Sequence, residues 1–176
     1  MRVFKLFALF PLVLLIGCAT SAKVEKMTPE SGARLASDSM FSRRVFIDSV
    51  SGGDKANPHW NSEISSEGYE AALRQALEDA GALSDLRSGA TYRLSVNLDK
   101  VEQPLGGLSK TVTTTVTYGL YEVLEGRVIF RKQFVTPYTA SWGSILRGTG
   151  RMRLANEGAA RENIEAFISY LVSGPR

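Results

Sequence analysis

The residue types that carry out most enzymatic chemistry are scarce in this sequence of 176 residues, which contains one histidine, His59, and one cysteine, Cys18. A serine hydrolase of the α/β type needs a G-x-S-x-G elbow, and Trp142-Gly143-Ser144 lacks the second glycine. One cysteine excludes an internal disulfide, and the sequence has no calcium-loop pattern of acidic residues. We therefore expect no catalytic site, no metal and no cofactor.

Basic and apolar residues occur together in one stretch near the end of the chain. Arg147, Arg151 and Arg153 cluster around Gly148 and Gly150, and Trp142 precedes them. Guanidinium groups and the free N–H groups at the start of a helix suit a phosphate, including that of a lipid. These four residues are the predicted binding site for an amphiphile or a partner surface. The alternative is a solvated loop whose charges contribute little.

The first residues of the chain follow the order of a secretory signal. Arg2 and Lys5 provide a basic start, residues 6–16 form an apolar run, and Gly17 and Cys18 follow. An apolar run of about 7–15 residues is typical of a signal, whereas a membrane-spanning helix needs about 20 residues. We therefore predict a signal peptide over residues 1–17.

The end of this signal, Leu15-Ile16-Gly17-Cys18, resembles the lipobox of bacterial prolipoproteins. The resemblance implies cleavage before Cys18, a diacylglyceryl thioether on its sulfur and acylation of its freed amine. Two or more acyl chains hold a protein firmly on a membrane, whereas one chain binds only marginally. Cys18 is therefore the predicted lipidation site. Ala19 stands where the enterobacterial retention signal has Asp, which favours the outer membrane, with the chain facing the periplasm, over the inner membrane.

Removal of the signal also changes what the charge of the chain implies. The sequence has 21 Lys and Arg against 18 Asp and Glu, a formal net charge of +3. Arg2 and Lys5 supply two of these surplus charges and leave with the signal. A mature chain that is almost neutral gives little support to nucleic-acid binding. We expect no nucleic-acid partner.

The mature chain divides into a tether and one domain. Residues 18–43 begin with the lipidated cysteine and are otherwise small and polar, so we predict a flexible tether, which spans about 25 Å as a coil. The alternative is that residues 32–40 form a short helix docked on the domain. Residues 44–176 have the length and the apolar content of a single globular domain.

The hydrophobic pattern of this domain predicts the element order β-α-β-β-β-α. Strands are predicted at 45–50, 92–98, 112–121 and 128–135, with a bulge at Asp99, and helices from Asn61 or Ser62 to Ala80 and over 153–172. Each helix has one apolar stripe, which predicts a two-layer α+β fold, a four-stranded sheet with two helices on one face. The other face carries a row of threonines, which is either solvated or a partner-binding surface.

This element order, the length and the lipobox resemble small periplasm-facing outer-membrane lipoproteins of βαβββα build, of the lipopolysaccharide-assembly type. The resemblance implies a lipid-anchored, non-catalytic envelope protein with an accessory role, binding a partner envelope protein or an amphiphile. Two alternatives stay open. One is an envelope hydrolase with an unrecognised site around Ser144 or His59, and the other is a lipid-trafficking protein with a pocket between helices and sheet.

Overall fold

The computed structural model describes residues 21–30, 32–53 and 64–175. Within these ranges, one four-stranded sheet with the strand order β1-β2-β3-β4 carries two long helices on one face, which confirms the predicted α+β fold. A short helix precedes the predicted elements. The elements are α1 (Val24–Met27), β1 (Val45–Ser51), α2 (Ser66–Asp79), β2 (Tyr92–Glu102), β3 (Lys110–Glu122), β4 (Val128–Ala140) and α3 (Gly148–Ser173), with a 3₁₀ turn at Arg87–Gly89.

The strand directions give the sheet two distinct ends. β1 and β2 are parallel, whereas β3 is antiparallel to both β2 and β4. At the upper end, β1, β2 and β4 finish and β3 begins, so the connection that follows β1 and the loops 103–109 and 141–147 leave the sheet there. At the lower end lie the β3–β4 turn, residues 123–127, and the connection 81–91 between α2 and β2. The predicted bulge is present, because the β2–β3 register shifts between Leu98 and Lys100.

Large aromatic side chains fill the space between the helices and the middle of the sheet. The rings of Tyr118 and Phe167 stack with their centroids 4.1 Å apart. The hydroxyls of Tyr69 and Tyr118 lie 2.6 Å apart, and they lie 3.3 and 3.0 Å from Asn163 Oδ1, which accepts from them. Burial raises the pKa of both phenols well above the ordinary value, so both stay protonated and can donate.

The upper half of α3 lies unusually close to the sheet. The hydroxyls of Thr114 and Thr136 donate to the carbonyl of Ala159 over 3.1 and 3.2 Å. A Cβ atom added at Gly158 would lie 2.2 Å from the ring of Tyr138, which is far inside van der Waals contact. Glycine therefore permits the close approach of this helix to β4.

The boundaries of the helices and of β4 differ from the sequence prediction. α2 begins at Ser66, because Ser65 Oγ accepts from the Gly68 N–H over 3.1 Å; residues 54–63, which include Asn61, Ser62 and His59, lie outside the described residues. α3 begins at Gly148 rather than at residue 153. Its glycines do not interrupt it, since Gly150 leaves room for Ile145, whose Cγ2 would be 2.8 Å from an added Cβ. β4 is one strand, and an edge strand tolerates Pro137 inside it.

The described part of the predicted tether packs on the domain. Met27 and Phe41 are buried in the main core, and the N–H of Leu35 donates to the Ala80 carbonyl over 3.0 Å. The N–H of Lys23 donates to Glu157 Oε1 of α3, also over 3.0 Å. Neither a free tether nor a helix over 32–40 describes this segment, which runs along the helices as part of the folded domain.

Candidate functional site

The upper end presents large apolar side chains to solvent. The loops 103–109 and 141–147 are neighbours, because the N–H of Trp142 donates to Ser109 Oγ over 3.1 Å. Leu105 and Leu146 are 91% and 94% exposed, and Trp142 is 67% exposed. Leu108 is also exposed. Contiguous exposed apolar side chains in a folded protein mark an interaction surface.

The three arginines of the predicted binding site take different positions in the structure. Arg147 is exposed and occupies the N-cap position of α3 without a side-chain capping hydrogen bond. Arg151 is only 8% exposed, and its Nη1 donates to the carbonyls of Ile145 and Leu146. Arg153 is half-buried, and its Nε lies 3.6 Å from Glu157 Oε1.

Arg151 therefore acts as a clamp that fixes the loop 141–147, and it is not a mobile anion ligand. The sequence analysis missed this role because a basic residue near the start of a helix is expected to be exposed to solvent. The i, i+4 spacing from Arg147 to Arg151 gives no sign that one side chain is buried and the other exposed. Trp142 and Arg147 remain as the two predicted site residues that the upper end presents to solvent.

The face of the sheet opposite the helices is polar and ordered around Asp99. The side chains of Thr117, Asn97 and Gln133 donate to its carboxylate, the last over 3.1 Å. Partial burial alone would raise the pKa of Asp99, but these hydrogen bonds and the charge of Arg131 lower it below the ordinary value. The sequence analysis recognised Asp99 only as a bulge, which is the feature that puts it among these outward-facing side chains.

Two pairs of arginine and aromatic side chains lie on the same face, towards the lower end. The Arg87 guanidinium carbon is 4.9 Å from the ring centroid of Phe46, and that of Arg93 is 5.2 Å from that of Tyr121. Phe46 pairs with Arg93 across β1 and β2, and Arg93 pairs with Tyr121 across β2 and β3. The sequence analysis did not find this group, because it depends on the strand register.

The residues considered as catalytic or metal-binding candidates do not come together in the described part of the chain. Among the described residues, no group of three or more His, Cys, Asp and Glu side chains could hold a metal. Ser144 Oγ donates to the Ser141 carbonyl over 2.7 Å within an exposed turn. The space where a trafficking pocket would lie, between helices and sheet, is filled by Tyr118 and Phe167. Cys18 and His59 lie outside the described residues.

None of the helices among the described residues is both long enough and apolar enough to cross a bilayer.

Comparison with known proteins finds similarity in fold. No family model matches this chain, and no curated protein matches its sequence. A Xanthomonas campestris protein of the DUF330 family superposes with a TM-score of 0.58 at 15% identity, over 88% of this chain and 95% of that one. A candidate lipoprotein from Caulobacter crescentus gives a TM-score of 0.51 at 13% identity, over 73% and 88%.

A third similar structure is a single-substitution variant of the PelC dodecamer from Paraburkholderia phytofirmans. It gives a TM-score of 0.50 at 20% identity, over 81% of this chain and 94% of that one. These likenesses show the fold. The two-layer arrangement of this chain is thus one that a Caulobacter crescentus protein described as a lipoprotein also adopts.

Proposed function

We propose that this chain is a lipid-anchored accessory protein of the bacterial envelope, which binds a partner envelope protein and catalyses no reaction. The lipobox at residues 15–18 supports lipidation at Cys18, and Ala19 supports the outer membrane with the domain facing the periplasm. The fold shared with a candidate lipoprotein from Caulobacter crescentus agrees with this assignment.

The observation that carries the binding role is the pair of arginine–aromatic stacks on the face of the sheet opposite the helices. Arg, Tyr and Phe are enriched at protein–protein interfaces, and Arg and Tyr are frequent hot spots. Here Phe46 holds Arg87 and Tyr121 holds Arg93, so these side chains are already ordered before a partner arrives. Ordering beforehand lowers the entropy cost of association.

The surroundings of the stacks suit the rim of such an interface. Asp99 and its three donors form a satisfied polar group further along the same face. Polar groups that satisfy one another on a rigid sheet cost less to cover than mobile charges. Arg87, Arg93 and Asp99 are exposed to solvent, and Phe46 and Tyr121 are partly exposed.

Site-specific photo-crosslinking in living cells tests this role. A photoreactive residue at Ser95, two positions from Arg93 on the same face, is compared with one at Ala71, exposed on α2. We expect one envelope protein to crosslink from position 95 and none from position 71. Arg93→Glu should abolish the adduct, because it removes the cation–aromatic stack and reverses the charge.

The matched control is Arg74→Glu, an equal change of charge on α2, where Arg74 pairs with Glu70 over 2.8 Å. It should leave the adduct intact, and both variants should keep the melting temperature within a few degrees. An adduct that survives Arg93→Glu would contradict the proposal. So would a product that contains only two copies of this chain.

A further inference from the structure

The loops of the upper end combine apolar side chains with positive charge. Residues 103–109 and 141–147 contain no Asp or Glu, while Arg147 ends the second loop and Lys110 follows the first. Trp prefers the interface of a bilayer, where its ring sits at the level of the headgroups. A basic residue near an anionic bilayer contributes about 1 kcal/mol of attraction. The composition of these loops thus matches a membrane surface.

The start of the described chain lies close to this end. Lys23 is fixed to Glu157 by a hydrogen bond of 3.0 Å, in the upper half of α3. Cys18 lies five positions before Lys23, and five residues span at most about 18 Å when fully extended. An acyl group on Cys18 therefore keeps Glu157 near the membrane.

The upper and lower ends lie at different distances from the level at which Lys23 is held to α3. Ala159, two residues after Glu157, contacts Thr114 and Thr136, which fixes its level on the sheet. From that level, Trp142 lies about 20 Å away along β4, whereas Leu124 lies about 34 Å away in the opposite direction along β3. The link to Cys18 is long enough for the upper end to reach the bilayer, and too short for the lower end.

The outer surface of α2 does not compete for the membrane, because acidic residues outnumber basic residues on this helix. α2 contains Glu67, Glu70, Glu78 and Asp79 against Arg74 alone. Carboxylates on that surface would be repelled by anionic phospholipids. The loops 103–109 and 141–147 are within reach of Cys18, and they combine exposed apolar side chains with basic residues.

We infer that Leu105, Leu108, Trp142 and Leu146 rest in the interface of the bilayer leaflet that holds the acylated Cys18, with Arg147 at the lipid phosphates. The inference depends on the lipid anchor of the proposed function. It makes the sheet stand upright on the membrane. The face that carries Phe46, Arg87, Arg93 and Tyr121 then points sideways and stays open to a partner.

Fluorescence of a single tryptophan tests this contact. The sequence has two tryptophans, so Trp60→Phe leaves Trp142 as the sole emitter. The lipidated chain is purified from membranes and reconstituted into vesicles of phosphatidylethanolamine and phosphatidylglycerol, with or without bromine on the lipid chains. We expect the emission of Trp142 to shift to shorter wavelength and to be quenched several-fold more than in the control.

The control carries its only tryptophan at the lower end, as the triple variant Trp60→Phe, Trp142→Phe and Leu124→Trp. Leu124 is 92% exposed, so a ring there should remain in water. The melting temperature of each variant is measured first, and a bimane label on Leu146→Cys replaces Trp142 as the probe where Trp60→Phe lowers stability.

Flotation of the vesicles separates failure of the inference from failure of the proposed function. A chain that floats with the vesicles while Trp142 emits as in water overturns the inference alone. Equal quenching of Trp142 and of the tryptophan at position 124 overturns it as well. A chain that does not float overturns the lipid anchor, and the inference with it.

Discussion

The upper and lower ends of the sheet both expose large apolar side chains, but their charge and their distance from the start of the chain differ. Leu146 at the upper end and Leu124 at the lower end are exposed to almost the same degree, 94% and 92%. At the lower end, carboxylates lie nearby, since Asp85 pairs with Arg43 and Glu122 pairs with Arg127. The loops 103–109 and 141–147 of the upper end contain no carboxylate. Exposure alone therefore does not distinguish the two ends, and the inferred membrane contact depends on the positive charge of the loops 103–109 and 141–147 and on their proximity to Cys18.

The two ends are also held to α3 in different ways. The lower half of the helix packs large rings, with Phe167 against Tyr118 and Phe134. The upper half packs small residues in a separate apolar cluster with Val112 and Ala140. Close approach of the backbones therefore attaches α3 to the sheet at the upper end, and burial of aromatic rings attaches it at the lower end.

The largest effect is expected from Cys18→Ala. This substitution removes the proposed lipid anchor, so the upper end is no longer held closer to the membrane than the lower end. The precursor should stay unprocessed and take up no labelled fatty acid, because no other thiol is present. Metabolic labelling followed by gel electrophoresis measures both effects. Equal labelling of the wild type and the variant would refute the lipidation of Cys18.

Phe167→Ala should weaken the lower attachment of α3 by about 3–5 kcal/mol in the free energy of unfolding, because it removes a fully buried ring. Denaturation in urea measures this change. Leu124→Ala is the control, since an exposed leucine should alter stability by no more than about 0.5 kcal/mol. Similar losses in both variants would mean that the aromatic stack does not hold the helix.

Gly158→Ala should weaken the upper attachment by about 1–3 kcal/mol, because the added methyl group would overlap the ring of Tyr138. Amide hydrogen exchange should rise in the upper half of α3 and less in the lower half. Gly148→Ala, in the same helix, has its nearest foreign atom 3.8 Å away and should change little. If Gly158→Ala were as stable as Gly148→Ala, close approach would not be what holds the upper end.

The smallest effect concerns Asp99, which belongs to neither end but orders the face between them. Its folded-state pKa lies below the ordinary value of 3.8, so the carboxylate stabilises the fold above that value. This contribution is lost as the pH falls through the lowered pKa. Asp99→Asn should therefore flatten the decline of the unfolding free energy on acidification between about pH 5 and pH 2. An unchanged slope in urea denaturation at several pH values would argue against the hydrogen-bonded carboxylate.

Most of the fold could be predicted from the sequence, because each strand and helix follows from the hydrophobic pattern of its own segment. Alternation along β2 and β3 indicates the buried face, and the break at Asp99 marks the bulge. The position of α1 and the contacts of Arg151 could not be predicted from the sequence. Lys23 meets Glu157 across 134 residues, and Arg151 turns back to carbonyls of its own loop. The start of α3 was missed because glycine normally interrupts a helix, whereas Gly150 and Gly158 here make room for Ile145 and Tyr138.

The upright orientation on the membrane is tested most directly by the depth of a spin label at each end. The natural chain has one cysteine, which acylation consumes in the proposed protein, so Leu105→Cys and Leu124→Cys each give a single labelling site. Collision rates with oxygen, which concentrates in lipid, and with a water-soluble nickel complex report the depth of the label in reconstituted vesicles. We predict that the label at position 105 lies in the bilayer interface and that the label at position 124 lies in water. Two labels in water, or a deeper label at position 124, would contradict the account.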